Sequence, residues 1–287
     1  MANVYDSKRH QILIIDQSNV SLNRAWPTHI TYVHTQTRGL SHARNLAIQR
    51  CTTPYILFTD DDCRPAHDWL IQAHEHIKSD PAVAVWFGQA WPSGTDYTLH
   101  HYTTHAGQIT WATRSDGAVC HALRIDDQPF RTMQPTAILE RLGHGNQMLI
   151  NCAIARHIGG FNPWLGAGAW LHSGEDVDMA LRMLAHGHAC AFTPTLQITH
   201  DAWVMPVVHA RLTQHYSTGM IALHLAHAWR GNQVARDYLY FRLKEASAVL
   251  HTTASTDTAP SIPRWRHIVA ILHGIIGGIS LIVWQRA

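Results

Sequence analysis

Three consecutive carboxylates, Asp60-Asp61-Asp62, end an apolar run, Tyr55-Ile56-Leu57-Phe58-Thr59, and are followed by Cys63-Arg64-Pro65. The run is bounded upstream by Pro54 and reads as a buried strand. In an open α/β sheet, ligands sit in the crevice beyond the carboxyl ends of the strands. Three adjacent acids at such an end repel one another, and a shared cation relieves the repulsion. Hard oxygen donors suit Mg²⁺ or Mn²⁺, which commonly hold a substrate's phosphates as well. Taken alone, the triplet reads equally well as a solvated acidic turn before the next helix.

The rest of the chain supplies the context. With 46% hydrophobic and 15% charged residues, 287 residues suffice for a packed core. A net charge of +2 with His neutral gives no electrostatic case for nucleic acid. The chain carries 24 His, so chance pairs abound; His101 with His105 and His224 with His227 have helical ligand spacing and read as incidental. The five cysteines, Cys51, Cys63, Cys120, Cys152 and Cys190, form no C-x-x-C, which predicts reduced thiols in a cytosolic compartment. Met1 to Gln11 is polar and shows no apolar signal region.

Ile12-Leu13-Ile14-Ile15 repeats the design of the acidic stretch: a buried strand with a polar tip, Asp16-Gln17-Ser18. Asp16 suits a ribose hydroxyl or a base N–H, and equally suits a turn cap. Ile30 to Val33 reads as a strand, and a helix follows from His42 to about Arg50 with Ser41 as its N-cap. Arg44 in its first turn opposes the helix dipole, which predicts an anionic partner or ligand. A helix from about Ala66 to Lys78 and a strand from Val83 to Phe87 come next. Residues 92–145 read as a long variable insertion.

Ala153 to Ile158 reads as a short helix ending at Gly159-Gly160. A segment rich in Gly and Trp follows, with Trp164, Gly166, Gly168 and Trp170, and leads into Ser173-Gly174-Glu175-Asp176. The next helix, about Glu175 to His186, buries Val177, Ala180, Leu181, Leu184 and Ala185. Carboxylates in its first turn favour the dipole, which accounts for them without function. The loop before it is not explained in that way. Its glycines permit close backbone approach, and its tryptophans offer flat faces to a sugar ring. Ala189 to Thr199, interrupted by Pro194, reads as an edge strand delivering His200-Asp201.

Four blocks over roughly residues 11–231 give the chain a resemblance to the family 2 glycosyltransferases, inverting enzymes of the GT-A fold. They are Ile12 to Ser18; Arg38 to Asn45 running into Leu57 to Asp62, like the DxD motif; Gly159 to Asp178 with Arg182; and Thr199-His200. The resemblance implies an α/β fold with a Rossmann-like GT-A domain over 1–203; beyond it the apolar pattern reads as a helical extension over 204–251, and the Thr-, Ser-, Ala- and Pro-rich stretch 252–263 reads as a linker. It implies that Asp16, Arg44, Asp60 and Asp61 line the nucleotide pocket, and that Asp60, Asp62 and His200 hold Mn²⁺ or Mg²⁺. Asp176 matches the general base and Glu175 its partner, and Trp164, Gly166, Gly168 and Trp170 lie on the acceptor side. Asn162 stands where the family more often has Asp. Members usually open with a further strand and helix before the strand matching residues 12–15, but here eleven residues precede it. The expectation is two exposed strand edges and an apolar helix face, with either a start upstream or weakened donor binding.

The tail, 264–287, is apolar nearly all round from Ile268 to Trp284; Arg264, Arg266 and His267 precede that run and Gln285-Arg286 follow it, with Trp265 and Trp284 at its ends. It fits a short spanning helix, an in-plane anchor, or a helix buried on the catalytic domain. Membrane association would place the domain on the cytoplasmic face of the cell membrane. The leading expectation is sugar transfer from a nucleotide diphosphate sugar to a carbohydrate or lipid-linked acceptor, with inversion, in cell-surface polysaccharide or glycolipid synthesis. A non-catalytic nucleotide-sugar-binding remnant and a metal-dependent hydrolase are the rivals.

Overall fold

Apolar residues alternate in Val85-Trp86-Phe87 and Met148-Leu149-Ile150, and this period of two builds a sheet with two covered faces. The computed structural model of the chain describes residues 6, 8–92, 123–125, 145–201, 206–251 and 264–284. The strands are β1 (Ile12–Asp16), β2 (Ile30–His34), β3 (Tyr55–Thr59), β4 (Cys63–Pro65), β5 (Val83–Pro92), β6 (Leu123–Ile125), β7 (Gln147–Asn151) and β8 (Ala189–His200). The helices are α1 (Leu40–Arg50), α2 (Trp69–Ser79), α3 (Cys152–His157), α4 (Glu175–Ala185), α5 (Pro206–Trp229), α6 (Gln233–His251) and α7 (Arg264–Trp284). The fold is mixed α/β with a helical C-terminal region. Most of the insertion read over 92–145 and the linker read over 252–263 lie outside the described residues.

β1 and β2 pair in parallel as a sheet of their own. The larger sheet runs β3-β7-β5-β8-β4, with β6 paired to β8. Only β5 and β8 run parallel within it. Val85, Phe87, Met148 and Ile150 face α3, α4 and α5 in one core. Trp86 and Leu149 face Trp69 and Ala73 of α2 in the other.

Several expectations are corrected. β8 is not an edge strand: it lies between β5 and β4. Its proline is tolerated because the β5–β8 register jumps from Phe87↔Phe192 to Gln89↔Gln197, so Pro194 sits in a bulge where no ladder N–H is required. Cys63-Arg64-Pro65 is a strand on β8, and α2 accordingly begins at Trp69 rather than Ala66. Ser41 does not cap α1. The helix starts at Leu40 after Gly39, and buried Ser41 Oγ donates to Leu165 O at 2.6 Å. β1 and β3, read as buried, are mostly half-buried, with Ile12 exposed. Among the described residues β1 pairs only with β2 and β3 only with β7, so each covers fewer sides than a central strand.

α4 is fixed by a buried charge cluster. Arg182 Nε donates to Asp178 Oδ2 at 2.8 Å, and His227 Nε2 of α5 lies 2.9 Å from Asp178 Oδ1. The other guanidinium nitrogens donate to the carbonyls of Ile158 and Gly160. Burial works to raise the Asp178 carboxyl, but Arg182 and His227 outweigh it and hold it far below the usual range.

Acid lability follows from the imidazoles. Burial above all holds His224 down at about 3, and burial followed by His172 holds His215 down at about 4. Both lie below the ordinary 6.5 of the unfolded chain, so unfolding takes up protons and stability falls as pH drops from about 6.5 toward 4. Glu175, raised to about 7, opposes with one proton over 7 to 4.5. The unfolding midpoint in scanning calorimetry is therefore expected to decline steadily below pH 6. A midpoint that stays level or rises from pH 6 to 4.5 would contradict the neutral state of buried His224 and half-buried His215.

Candidate active site

The carboxyl end of β3 and the amino end of α4 meet at Arg44. It is 3% exposed, and because α1 begins at Leu40 it stands one turn in rather than in the first turn; burial of a cation, not the helix dipole, is what calls for its anionic partners. Nη1 donates to Glu175 Oε1 at 2.8 Å, and Nη2 donates to Gly145 O at 2.6 Å and to Asp60 Oδ1 at 3.4 Å. The N–H of Gly145 in turn donates to Asp176 Oδ2 at 2.7 Å. A Cβ on Gly145 would lie 2.8 Å from Arg44 Nη1 and 3.2 Å from Asp176 Oδ2, so a side chain there would press on both ends of the bridge.

The two acids at the start of α4 are placed differently. Glu175 is buried, and burial followed by the neighbouring Asp176 pushes its carboxyl up to about 7 against the pull of Arg44. Asp176 is half-buried, its Oδ1 accepting from Val177 N at 2.8 Å. Of the pair, Asp176 is the more exposed. Asp60 is raised chiefly by burial, with Arg44 pulling it down and Asp62 pushing it up.

The second cluster comes from the β4–β8 pairing, which sets Cys63 opposite His200. His200 Nε2 is 3.2 Å from Asp62 Oδ2, and the ligand atoms of Asp62, Cys63 and His200 lie within 4.8 Å of one another. Burial first, then Asp62 and Asp60, push the Cys63 thiol up to about 12. The set offers a carboxylate oxygen and an imidazole nitrogen, with the thiol beside them. That chemistry fits Mn²⁺ or Mg²⁺. Asp61 is exposed beside it.

Asp16 ends β1 in its own network. The Tyr32 hydroxyl donates to it, as does Ser18 N at 2.8 Å, and the Tyr32 bond chiefly holds the carboxyl down at about 2. It is an ionised acceptor at neutral pH. Gln17 carries the end of β1 to α1, its Nε2 donating to Gly39 O at 3.0 Å.

In the loop 161–174, the glycines serve packing. A Cβ on Gly166 would stand 3.1 Å from Ser41 Oγ and 3.2 Å from Glu175 Cδ, and one on Gly168 would stand 3.3 Å from Gly39 Cα. Trp164 and Trp170 meet edge to face at 5.6 Å. Trp164 also stacks on Trp284 at 5.5 Å, while Trp170 keeps 45% of its surface exposed. His224 and His227 do not act as a pair: His224 Nδ1 lies 2.7 Å from Met220 O, and His227 serves Asp178. His101 and His105 lie outside the described residues. Gly145 carried little signal in the sequence: it stands two residues before β7, at the end of the stretch read as an insertion. Sequence reasoning also missed Cys63 as a neighbour of His200.

The profile described as Glycosyl transferase family 2 matches residues 3–155. The pre-mycofactocin glycosyltransferase of Mycobacterium tuberculosis is 25% identical over 174 residues, which cover 58% of this chain and 31% of that protein. The chain thus spans about a third of the length of the curated relatives it matches. Among solved structures, mannosyltransferase PcManGT from Pyrobaculum calidifontis, in complex with GDP-Man and Mn²⁺, is similar with a TM-score of 0.53 at 16% identity, over 99% of this chain and 81% of that one. GalNAc-T7 with UDP, GalNAc and Mn²⁺ is similar with a TM-score of 0.52 at 13% identity, over 91% and 48%. These two likenesses establish the GT-A fold.

Proposed function

The chain belongs to glycosyl transferase family 2, and from that premise we propose that it moves a sugar from a nucleotide diphosphate sugar to an acceptor hydroxyl with inversion. The observation that carries this reading is the division of labour at the start of α4. Glu175 is buried on Arg44, whereas Asp176 is half-exposed and tied through Gly145 and Arg44 to Asp60 at the end of β3. Asp176 takes the proton of the acceptor hydroxyl as its oxygen attacks the anomeric carbon. The bond to the nucleotide diphosphate breaks on the opposite face through an oxocarbenium-like state. Arg44 holds Glu175 and Asp60 in register for this.

Asp60, Asp62 and His200 would hold Mn²⁺ or Mg²⁺, which when bound supplies a Lewis acid against the leaving diphosphate. Similar proteins carrying Mn²⁺ with GDP-Man or UDP support that assignment. Asp16 and Asp61 complete the nucleotide side. Trp170, with Trp164 behind it and Gly166 and Gly168 shaping the loop, forms the acceptor side. The acceptor is a carbohydrate or a lipid-linked glycan, and cell-surface polysaccharide or glycolipid synthesis is the setting. Segment 264–287 associates with the cytoplasmic face of the membrane; within it α7 has one apolar stretch, Trp265–Trp284, long enough to cross a bilayer.

The test is a donor and acceptor screen with the product's anomeric configuration read by NMR. Inverted product is expected. Retained configuration, or free sugar formed as fast without acceptor as with it, would overturn the reading, the latter in favour of a hydrolase. Asp62→Ala is expected to lower metal-dependent nucleotide affinity on the order of tenfold or more, since it removes a hard ligand. Unchanged binding in calorimetry would refute the ligand role.

A further inference from the structure

α7 has two faces. Ala270, Gly274, Gly277, Gly278 and Leu281 are buried, at the spacing of one helical stripe. The glycines let the backbone lie on α5. A Cβ on Gly274 would come to 2.7 Å from Ile221 Cβ, and one on Gly278 to 2.8 Å from Leu225 Cβ. At Gly277 the groove receives Leu171 of the loop 161–174, and Trp284 stacks on Trp164 of the same loop. Trp170 meets His273 at 5.3 Å. The domain therefore covers one side of α7 from Ala270 to Trp284.

The opposite stripe, Ile268, Leu272, Ile276, Ile279 and Val283, is apolar and between 41% and 63% exposed. A helix on the surface of a water-soluble domain carries polar residues there. Trp265 and Trp284, both exposed, stand at the two ends, and the sequence places Arg264 and Arg266 at one end and Arg286 at the other. Aromatic ends flanked by cations match the headgroup level of an anionic bilayer. Contact with a second copy of the chain would not call for that order.

We infer that α7 lies flat in the surface of an anionic membrane, outer stripe in the acyl boundary, while its inner face stays docked on α5 and the loop 161–174. A spanning orientation would strip α7 from that docked face or draw α5 into hydrocarbon with it, and α5 carries Arg211 and the His227 that serves Asp178. The loop is thereby held at headgroup level. Given the reading of that loop as the acceptor side, on which this consequence rests, the site takes an acceptor carried on a lipid.

The experiment measures cosedimentation of the full chain with vesicles of phosphatidylcholine containing phosphatidylglycerol, with nucleotide binding followed in parallel. Leu272→Glu with Ile279→Glu should weaken vesicle binding on the order of tenfold or more and leave nucleotide binding unchanged. In a second variant, Ala222→Cys with Gly277→Cys and Leu171→Ala, the last change clears the Leu171 side chain that a Cβ at 277 would meet, and that Cβ lies 3.4 Å from the Cβ of Ala222, near the separation a disulfide needs. The oxidised, locked chain should bind vesicles as tightly as its reduced form. Loss of binding on locking, failure of the bridge to form, or vesicle binding indifferent to the glutamates would overturn the inference. So would a wild-type chain that binds nucleotide but no vesicles, and that result would leave the transferase reading standing. Vesicle binding without nucleotide binding would remove the transferase reading and leave the anchor.

Discussion

Asp176→Asn is expected to lower sugar transfer by about 10²–10⁴-fold, the usual contribution of a positioned general base, with nucleotide binding retained. The asparagine keeps the shape and can still accept from the N–H of Gly145, the bond seen at 2.7 Å. It cannot take a proton from the acceptor. Buried Glu175, already engaged by Arg44, is not in a position to substitute. The measurement is turnover at saturating donor and acceptor. Loss confined to KM would reassign Asp176 to binding, and turnover near wild type would remove it from the chemistry.

The largest effect on stability is expected at Asp178, away from the reacting centre. Asp178→Ala leaves the Arg182 guanidinium without its carboxylate and His227 Nε2 without its hydrogen-bond partner, and breaking a buried pair of this kind costs about 3–5 kcal/mol. The same residue joins α4 to α5, and Arg182 carries the link on to Ile158 and Gly160. Denaturant unfolding should show a much lower midpoint, with activity lost in parallel with fold. A shift under about 1 kcal/mol, the ordinary level for an exposed ion pair, would mean that the cluster is solvated.

How much of this was legible beforehand differed by residue. The helix from Glu175 was readable because its apolar stripe has a helical period and its first turn is acidic. An anionic partner for Arg44 was expected from a place in the first turn; α1 starts at Leu40, so Arg44 lies beyond that turn, and it is burial that requires Glu175 and Asp60 beside it. Pairing between distant segments was not readable. Nothing local in Cys63-Arg64-Pro65 marks it as a strand; only His200 on β8, opposite Cys63, makes it one. Pro194 suggested an edge, because the bulge that accommodates it belongs to the β5–β8 register rather than to β8 alone. The glycines before α4 were legible as a close approach, but what they approach is α1 and Glu175. Trp284 was read as an interfacial residue, while its stacking on Trp164 depends on how α7 docks.

The central claim is that the ends of β1 and β3 and the start of α4 form a nucleotide-sugar site. The most direct test is calorimetric titration of the folded chain with UDP, GDP and dTDP, each with and without Mn²⁺. The predicted result is binding of one nucleotide that depends on the metal and is lost in Asp62→Ala. A folded chain that binds none of the three under either condition would contradict the account.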